Sequence, residues 1–456
     1  MAPDKSSRLT IAEMASYVGW AVQRRLVALR LALTPGDDPR ANNAMYLAIE
    51  IFWAAFLSAA AAFNAPFALR LGASNADIGL LSSIPALLAI LVTLPAGQFI
   101  TRQRRRMPWL LGSLLLSRIG YLLVIFIPWL PLGNRGAGLV WLLIIFTIPA
   151  HFFNVTWGPM LADVVPETDR ARVFAVRNIL LAGVVTVGVF LAGRWLESAP
   201  FPLNYQILYG VGFAAAMVSI YYLTRLKVPE SYVPELPAQA LSPAALLRGW
   251  RDAFKVEPDF ARITLNTLLH GIGLWMIAPV YILYYVRTLG AEEGWLGLNS
   301  MMANLTPIIG YYLWQRGVIR LGENKVLRWT IMGLGVYPIL VGIAPSLTVI
   351  LAFTALYGLV APAVNLSHYP MLLKICPTAQ RPMFLALYTT IMNIGAFVMP
   401  LIGVKLAEVI GPPAVLIIGG AMSVAGSSSF IWHRLRTPDT LALRHAEMAA
   451  PRPAAE

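Results

Sequence analysis

A chain of 456 residues would accommodate about three soluble domains at ~150 residues each, but 58% of it is apolar and only 12% charged, half the roughly 25% of globular proteins. A soluble protein is excluded. The apolar residues fall in separate blocks, with a mean hydropathy of +0.67, and the blocks run to about 20 residues, the length that crosses a ~30 Å hydrocarbon core. The 35 Lys+Arg against 22 Asp+Glu leave +13, and the one cysteine, Cys376, excludes an intrachain disulfide and Cys-based zinc or iron–sulfur sites.

The chain opens with Ile11, Met14, Val18, Val22, Leu29 and Leu33 at helical spacing among Arg24, Arg25 and Arg30, ending in the breaker run TPGDDPR. This predicts an amphipathic helix within residues 1–42 lying on the cytoplasmic leaflet. No small-residue cleavage site precedes the breaker, so a removed signal peptide is not expected. Twelve spans follow, at 44–67, 78–100, 109–130, 138–162, 173–195, 204–224, 261–286, 295–315, 326–344, 347–373, 383–407 and 412–433. They divide into bundles of six helices at 43–225 and 261–433, joined by a linker at 226–260 that carries five prolines, with a polar tail at 434–456. Connections after even-numbered spans hold the cations, among them Arg102, Arg104, Arg105, Arg106, Arg225, Lys227, Arg248, Arg316, Lys325, Lys374 and Arg381. Those after odd-numbered spans hold Arg70, Arg135, Arg287 and little else. The positive-inside rule then places both termini in the cytoplasm of a multi-pass protein of the cell inner membrane. The Arg102–Arg106 run is read as topology and anionic-lipid contact rather than a nucleic-acid footprint.

The second half repeats the first. At an offset of 218, Leu71-Gly72-Ala73 falls on Leu289-Gly290-Ala291, and Gly79, Leu80, Ser82 and Arg102 fall on Gly297, Leu298, Ser300 and Arg320. At an offset of 211, Asn154, Pro159, Met160, Leu161, Pro166, Arg170, Ala175 and Glu197 fall on Asn365, Pro370, Met371, Leu372, Pro377, Arg381, Ala386 and Glu408. One repeat with one seven-residue deletion between spans nine and ten accounts for both registers. Two six-span repeats with both ends on one side must be parallel, and rocking such halves about a midplane cavity exposes it to each side in turn.

The loop Gly97-Gln98-Phe99-Ile100-Thr101-Arg102-Gln103-Arg104-Arg105-Arg106 resembles the G-x-L-x-D-R-x-G-R-[RK] signature between spans two and three of the major facilitator superfamily, with Thr101 at the Asp position and Arg104 at the second Gly. In the counterpart Gln315–Lys325, Arg320 and Gly322 match and Ile319 stands at the Asp position. Leu161–Asn178 looks like the loop after span four in many bacterial members. The resemblance covers about residues 44–433. It implies twelve transmembrane helices around a central cavity lined mainly by spans one, four, seven and ten, and a cytoplasmic charge cluster in which Arg102 joins Asp163, with Arg170 close by. Carboxylate–Arg pairs across a cytoplasmic seam, drawn from Arg102, Asp163, Arg170, Arg320 and Arg381, would favour the outward-open state; the alternative is that these side chains serve helix ends or phosphates.

Each cavity-lining span has a polar stripe. Glu50 and Asn64 share a face of span one, His151 and Asn154 of span four, Asn266 and His270 of span seven, and Tyr357 and His368 of span ten, with Asn365 adjacent. A carboxylate inside a span costs ~2.5–3.5 kcal/mol on insertion scales and is tolerated where it faces protein or water. Glu50 is therefore expected to exchange a proton or pair with a cationic substrate, to form a fixed salt bridge with Arg118 on span three, or to snorkel. The three histidines are read either as substrate or proton contacts or as packing residues, and Asn154 and Asn365 either as lumen groups or as braces ahead of Pro159 and Pro370.

No GxxxxGK[ST], HExxH or GxSxG pattern occurs. The expectation is therefore not an enzyme but a monomeric secondary transporter that needs no cofactor and no metal. Its partners would be a small-molecule substrate, protons and membrane lipids. Export of amphipathic compounds is slightly preferred over uptake of sugars or organic acids, because the expected lumen mixes aromatic and apolar residues with few charges. The alternative is a non-transporting relative acting as a membrane assembly or pigment-delivery factor.

Overall fold

The computed structural model describes residues 39–165, 167–228, 254, 257–377 and 381–432. Residues 1–38 of the expected N-terminal segment, most of the linker and the tail lie outside the described residues.

Twelve long helices occur where the twelve spans are predicted. The first bundle holds α1 (Pro39–Ala61), α2 (Asn75–Thr101), α3 (Met107–Val124), α4 (Arg135–Val164), α5 (Glu167–Ser198) and α6 (Leu203–Thr224). The second holds α7 (Pro258–Leu283), α8 (Glu293–Leu321), α9 (Glu323–Gly342), α10 (Leu347–Ile375), α11 (Arg381–Ile410) and α12 (Pro412–Trp432). A short helix, Asn64–Arg70, prolongs α1, and a π turn, Tyr284–Thr288, prolongs α7. Ten of these spans are long and apolar enough to cross a membrane. The other two, α8 and α9, carry Asn299, Asn304, Arg316 and Arg320, and Glu323, Lys325 and Arg328, which lower their hydropathy.

Helix starts are set by side chains that take up orphan backbone donors. Ser74 and Asp77 form a reciprocal capping box on α2, Asn134 caps α4, and Ser346 caps α10. The repeat recurs in the backbone. Gly72 turns into α2 at φ +90° and Gly290, its partner at the 218 offset, turns toward α8 at φ +64°, the left-handed region that a Cβ disfavours. Pro159 lies inside α4 and its partner Pro370 inside α10.

Packing repeats as well. In the first bundle α1 lies on α5 and α6, α4 on α2 and α3, and α3 on α6; in the second α7 lies on α11 and α12, α10 on α8 and α9, and α9 on α12. Each pairing recurs six helices later. The bundles meet through two further equivalent pairings, α2 on α11 and α5 on α8, giving two six-helix repeats around a central cavity.

The helix ends define two levels. The basic end holds Arg102–Arg106, Arg225, Lys227, Arg320, Lys325 and Lys374, and the far end holds the turns at Gly72, Gly133, Phe201, Gly290 and Gly411. Buried apolar side chains divide along this axis. At the far end one cluster takes in both halves, from Phe63, Phe67, Val189 and Tyr205 to Met276, Tyr285, Leu296 and Val404. At the basic end there are two clusters, one around Leu47, Leu110, Met160 and Leu223 and the other around Phe260, Leu327, Leu372 and Phe384, each confined to its own half.

Candidate functional site

The far end is closed by two arginines that cross between halves in repeat-related fashion. Arg70, at the end of the helix that prolongs α1, pairs with the buried Glu293 at the start of α8, and Tyr205 of α6 donates to the other carboxylate oxygen at 2.9 Å. In the opposite direction, Arg287 after α7 donates to Asn75 Oδ1 at the start of α2 and to Ala73 O. Asn75 and Glu293 are equivalent positions at the 218 offset, so each hairpin reaches the first residue of the other half's second helix. Between these latches α5 and α8 approach at two glycines. A Cβ on Gly193 would lie 2.6 Å from Glu293 O and 2.9 Å from Gly297 Cα.

With a fused core and both latches at the far end, and separate cores at the basic end, the buried contacts that join the halves among the described residues gather at the far end. The positions predicted to gate the basic end accord with that arrangement. Arg102 and Arg320 are exposed, and among the described residues no carboxylate pairs with either. Arg170 Nε donates to Val165 O at 3.1 Å, serving the end of α4. The side chains of Asp163 and Arg381 lie outside the described residues.

Glu50 is buried inside the first bundle. Arg177 of α5 donates from Nη1 to Oε2 at 2.6 Å and to Leu47 O at 2.8 Å, and Ser219 of α6 donates to Oε1 at 3.2 Å. The guanidinium of Arg177 lies 4.5 Å over the Trp157 ring of α4, a cation–π contact strengthened by burial. The partner expected from depth alone, Arg118, lies within electrostatic reach of Glu50 and Tyr121 but makes no hydrogen bond to the carboxylate, and its Nε is buried without an acceptor. Asn64, on the same face of the first span, accepts from Tyr209 of α6 at 2.8 Å. Leu57, between them, packs against Gly212 of α6. That stripe therefore faces α6, not an open lumen.

The other candidates fall into two groups. His151 Nε2 lies 3.0 Å from Pro85 O, tying α4 to α2. His270 Nδ1 lies 2.7 Å from Ser427 Oγ and 2.9 Å from Ser423 Oγ; Ser427 spends its hydrogen on Ser423 O, so the ring donates to Ser427. By the same reasoning Thr267 donates to Ile263 O, and His368 donates from Nε2 to Thr267 at 2.7 Å. Asn266 Nδ2 donates to Ser429 O at 3.4 Å. These residues tie α7 to α10 and α12. Asn154 and Asn365, matched in the repeat, are both exposed in mid-span, and Asn365 donates to the Tyr311 hydroxyl of α8 at 3.2 Å. An amide exposed at that depth is tolerated where water fills the space. Among the described residues no cluster of three His, Cys, Asp or Glu side chains is suited to a metal ion.

Sequence reasoning missed Arg177, Ser219 and Glu293. The signal for the latch was present in the scarcity of cations at the far end, where Arg70 and Arg287 are two of very few.

A family model described as Major Facilitator Superfamily matches residues 44–258 and 263–456. No curated protein matches the sequence. Among solved structures, the nucleoside transporter NupG aligns with a TM-score of 0.63 at 13% identity, covering 86% of this chain and 98% of that one. A bacterial homolog of the human lysosomal transporter Spinster, inward-facing and unoccupied, aligns at 0.60 and 14% identity, covering 92% and 100%. A POT family transporter in complex with a thioalcohol-conjugated peptide aligns at 0.62 and 12%, covering 89% and 96%.

Proposed function

We propose that this chain, which belongs to the major facilitator superfamily, is a secondary active transporter that moves a small solute across the cell inner membrane by alternating access, with its basic end in the cytoplasm. The observation that carries this reading is the division of the core, one cluster across both halves at the far end and one per half at the basic end. A protein that only held partners would need no seam held by reciprocal latches at one end and by no shared core at the other. The positive-inside distribution of Arg102–Arg106, Arg225 and Lys374 supports the cytoplasmic placement.

Coupling to protons is assigned to Glu50. Protonation removes the charge that Arg177 neutralises, while Leu47 O and the Trp157 face keep the guanidinium in place. Release of that pair alters how α5 is tied to α1 and α6, and α5 is one of the two helices of its half that carry the inter-bundle contact. Substrate contact is assigned to the exposed amides Asn154 and Asn365, with His151, His270 and His368 behind them. The few charges near those positions favour export of amphipathic compounds over uptake of sugars or organic acids. The unit is taken to be a monomer.

The test is thermal unfolding of the purified protein against a broad panel of small molecules at acidic and alkaline pH, in wild type and Glu50→Gln. A ligand at a hundred times its dissociation constant stabilises a state it binds exclusively by about 2.7 kcal/mol. The expected result is a hit whose shift depends on pH in wild type and not in Glu50→Gln, followed by flux of that compound into proteoliposomes under a proton gradient. A folded, monodisperse protein that no compound stabilises would sink the transport reading. A pH dependence that survives in Glu50→Gln would sink the assignment of coupling.

A further inference from the structure

At the basic end of the second bundle, where α8 turns into α9, a cavity of about 730 Å³ is lined by two kinds of side chain. One wall carries Lys325, Arg328 and Lys374 against a single carboxylate, Glu323. That carboxylate is committed, since Lys374 Nζ donates to both of its oxygens at 2.9 and 2.8 Å. Among the described residues no carboxylate pairs with Lys325 or Arg328, and Arg328 Nε is buried with no acceptor. A buried donor left without an acceptor is destabilising, so the lining favours a negatively charged ligand that could accept from it. The other wall is apolar and turned outward, with Ile319 78%, Trp329 67% and Leu321 53% exposed. An exposed tryptophan beside lysine and arginine at the end of a span marks the headgroup level of a bilayer.

We infer that this cavity is a binding site for an anionic phospholipid, its phosphate received by Arg328 and Lys325 and its upper acyl chain laid along Ile319, Leu321 and Trp329. A soluble anion would satisfy the cationic wall alone and leave the apolar one bare. A zwitterionic lipid would bring a second cation to a wall that already has an excess of positive charge. Basic pockets between membrane helices recognise anionic headgroups on these terms. The first bundle has a cavity of about 510 Å³ between α3 and α4, lined by Trp109 and Phe152 and by no charged side chain. It therefore lacks the cationic wall, and of these two cavities the anion selectivity is assigned to the one in the second bundle. This assignment does not depend on the transport reading.

The experiment is native mass spectrometry and thermal unfolding of the full chain in neutral detergent, titrated with phosphatidylglycerol, with phosphatidylcholine of the same acyl chains, and with glycerol 3-phosphate. One phosphatidylglycerol per chain is expected to survive delipidation and raise Tm. Phosphatidylcholine should bind at least tenfold more weakly, and glycerol 3-phosphate should give no shift at the same concentration. Lys325→Gln with Arg328→Gln should abolish the preference for phosphatidylglycerol, lowering its binding to the level of phosphatidylcholine. Lys325→Gln alone, at an exposed position that folding tolerates, should weaken it severalfold. Equal binding of the two lipids overturns the proposal, as does a double variant that keeps the preference. If glycerol 3-phosphate binds as tightly as the lipid, the site is a phosphate site and the lipid assignment falls.

Discussion

The two ends of the molecule are built from the same twelve helices and differ in what crosses between the halves. At the far end apolar side chains of both bundles merge into one cluster, and Arg70 and Arg287 each reach the first residue of the other bundle's second helix. At the basic end the bundles keep separate cores, and among the described residues no carboxylate pairs with Arg102 or Arg320. Conformational state in a two-bundle protein is thus legible from where the cores join. The same contrast separates two buried ion pairs. Glu50–Arg177 ties helices of one bundle, whereas Arg70–Glu293 ties the bundles to each other.

The within-bundle pair should show the largest effect, and it should be an effect on folding. Its side chains are 5% and 10% exposed, so Glu50→Gln leaves a buried guanidinium uncompensated, which costs about 3–5 kcal/mol. Glu50→Gln combined with Arg177→Met should recover most of that loss, because removing both partners of a buried pair is far less costly than removing one. Denaturant unfolding of the four proteins of the cycle measures it. Additive losses would show that the two residues do not act as a pair.

The between-bundle pair should instead shift the balance of states with little change in folding. Arg70→Gln leaves the buried Glu293 carboxylate with Tyr205 as its remaining partner, a loss of about 1.5–3 kcal/mol for a charge-assisted bond, toward the lower figure because Arg70 is half exposed. A loss near 2 kcal/mol changes the ratio of closed to open far end about thirtyfold. Spin labels on Leu132→Cys and Val409→Cys in a Cys376→Ser background report the far-end separation. An unchanged distance distribution would mean that the latch does not hold the seam. Gly193→Ala tests the same closure without touching a charge. Its Cβ would meet backbone atoms of α8 that have no free rotation with which to yield, and overpacking of this kind costs about 1–3 kcal/mol. The shift should again be toward an open far end. By comparison Gly183→Ala, where a Cβ meets nothing within 4 Å, should leave the distribution as it is.

These contrasts also mark what the sequence could and could not carry. The twelve spans are legible because a 20-residue apolar run has one physical meaning in a membrane, and the repeat is legible because Gly72 and Gly290 mark a backbone turn that an alanine would strain. The partner of Glu50 was not legible. Depth along a helix can be counted, and Arg118 and Arg177 both lie near the right level, but rotation about each helix axis decides which one meets the carboxylate. Packing sets that rotation, and no residue of α3 or α5 announces it. The Glu50–Asn64 stripe failed as a lumen face for the same reason: helical spacing shows that two side chains share a side, not which neighbour that side meets. Glu293 stayed hidden because a carboxylate at a helix start reads as an ordinary first-turn residue until Arg70 and Tyr205 are placed around it.

The smallest effects should come from the turn that the repeat duplicates, and they are the sharpest test of equivalence between the halves. Neither Gly72 nor Gly290 has a neighbour that a Cβ would strike, so alanine there meets only the backbone penalty of a left-handed residue, about 1–2 kcal/mol. Gly290 at φ +64° sits near the left-handed minimum, while Gly72 at φ +90° lies beyond it, so Gly290→Ala should cost about 1 kcal/mol and Gly72→Ala somewhat more. Asparagine adopts the left-handed conformation more readily than alanine, so Gly290→Asn should recover part of the loss and Gly72→Asn less. Thermal unfolding of the four variants orders them. A Gly290→Ala protein as stable as wild type would show that the turn relaxes to negative φ, and the backbone equivalence of the two hairpins would then be a coincidence of sequence with no conformational demand behind it.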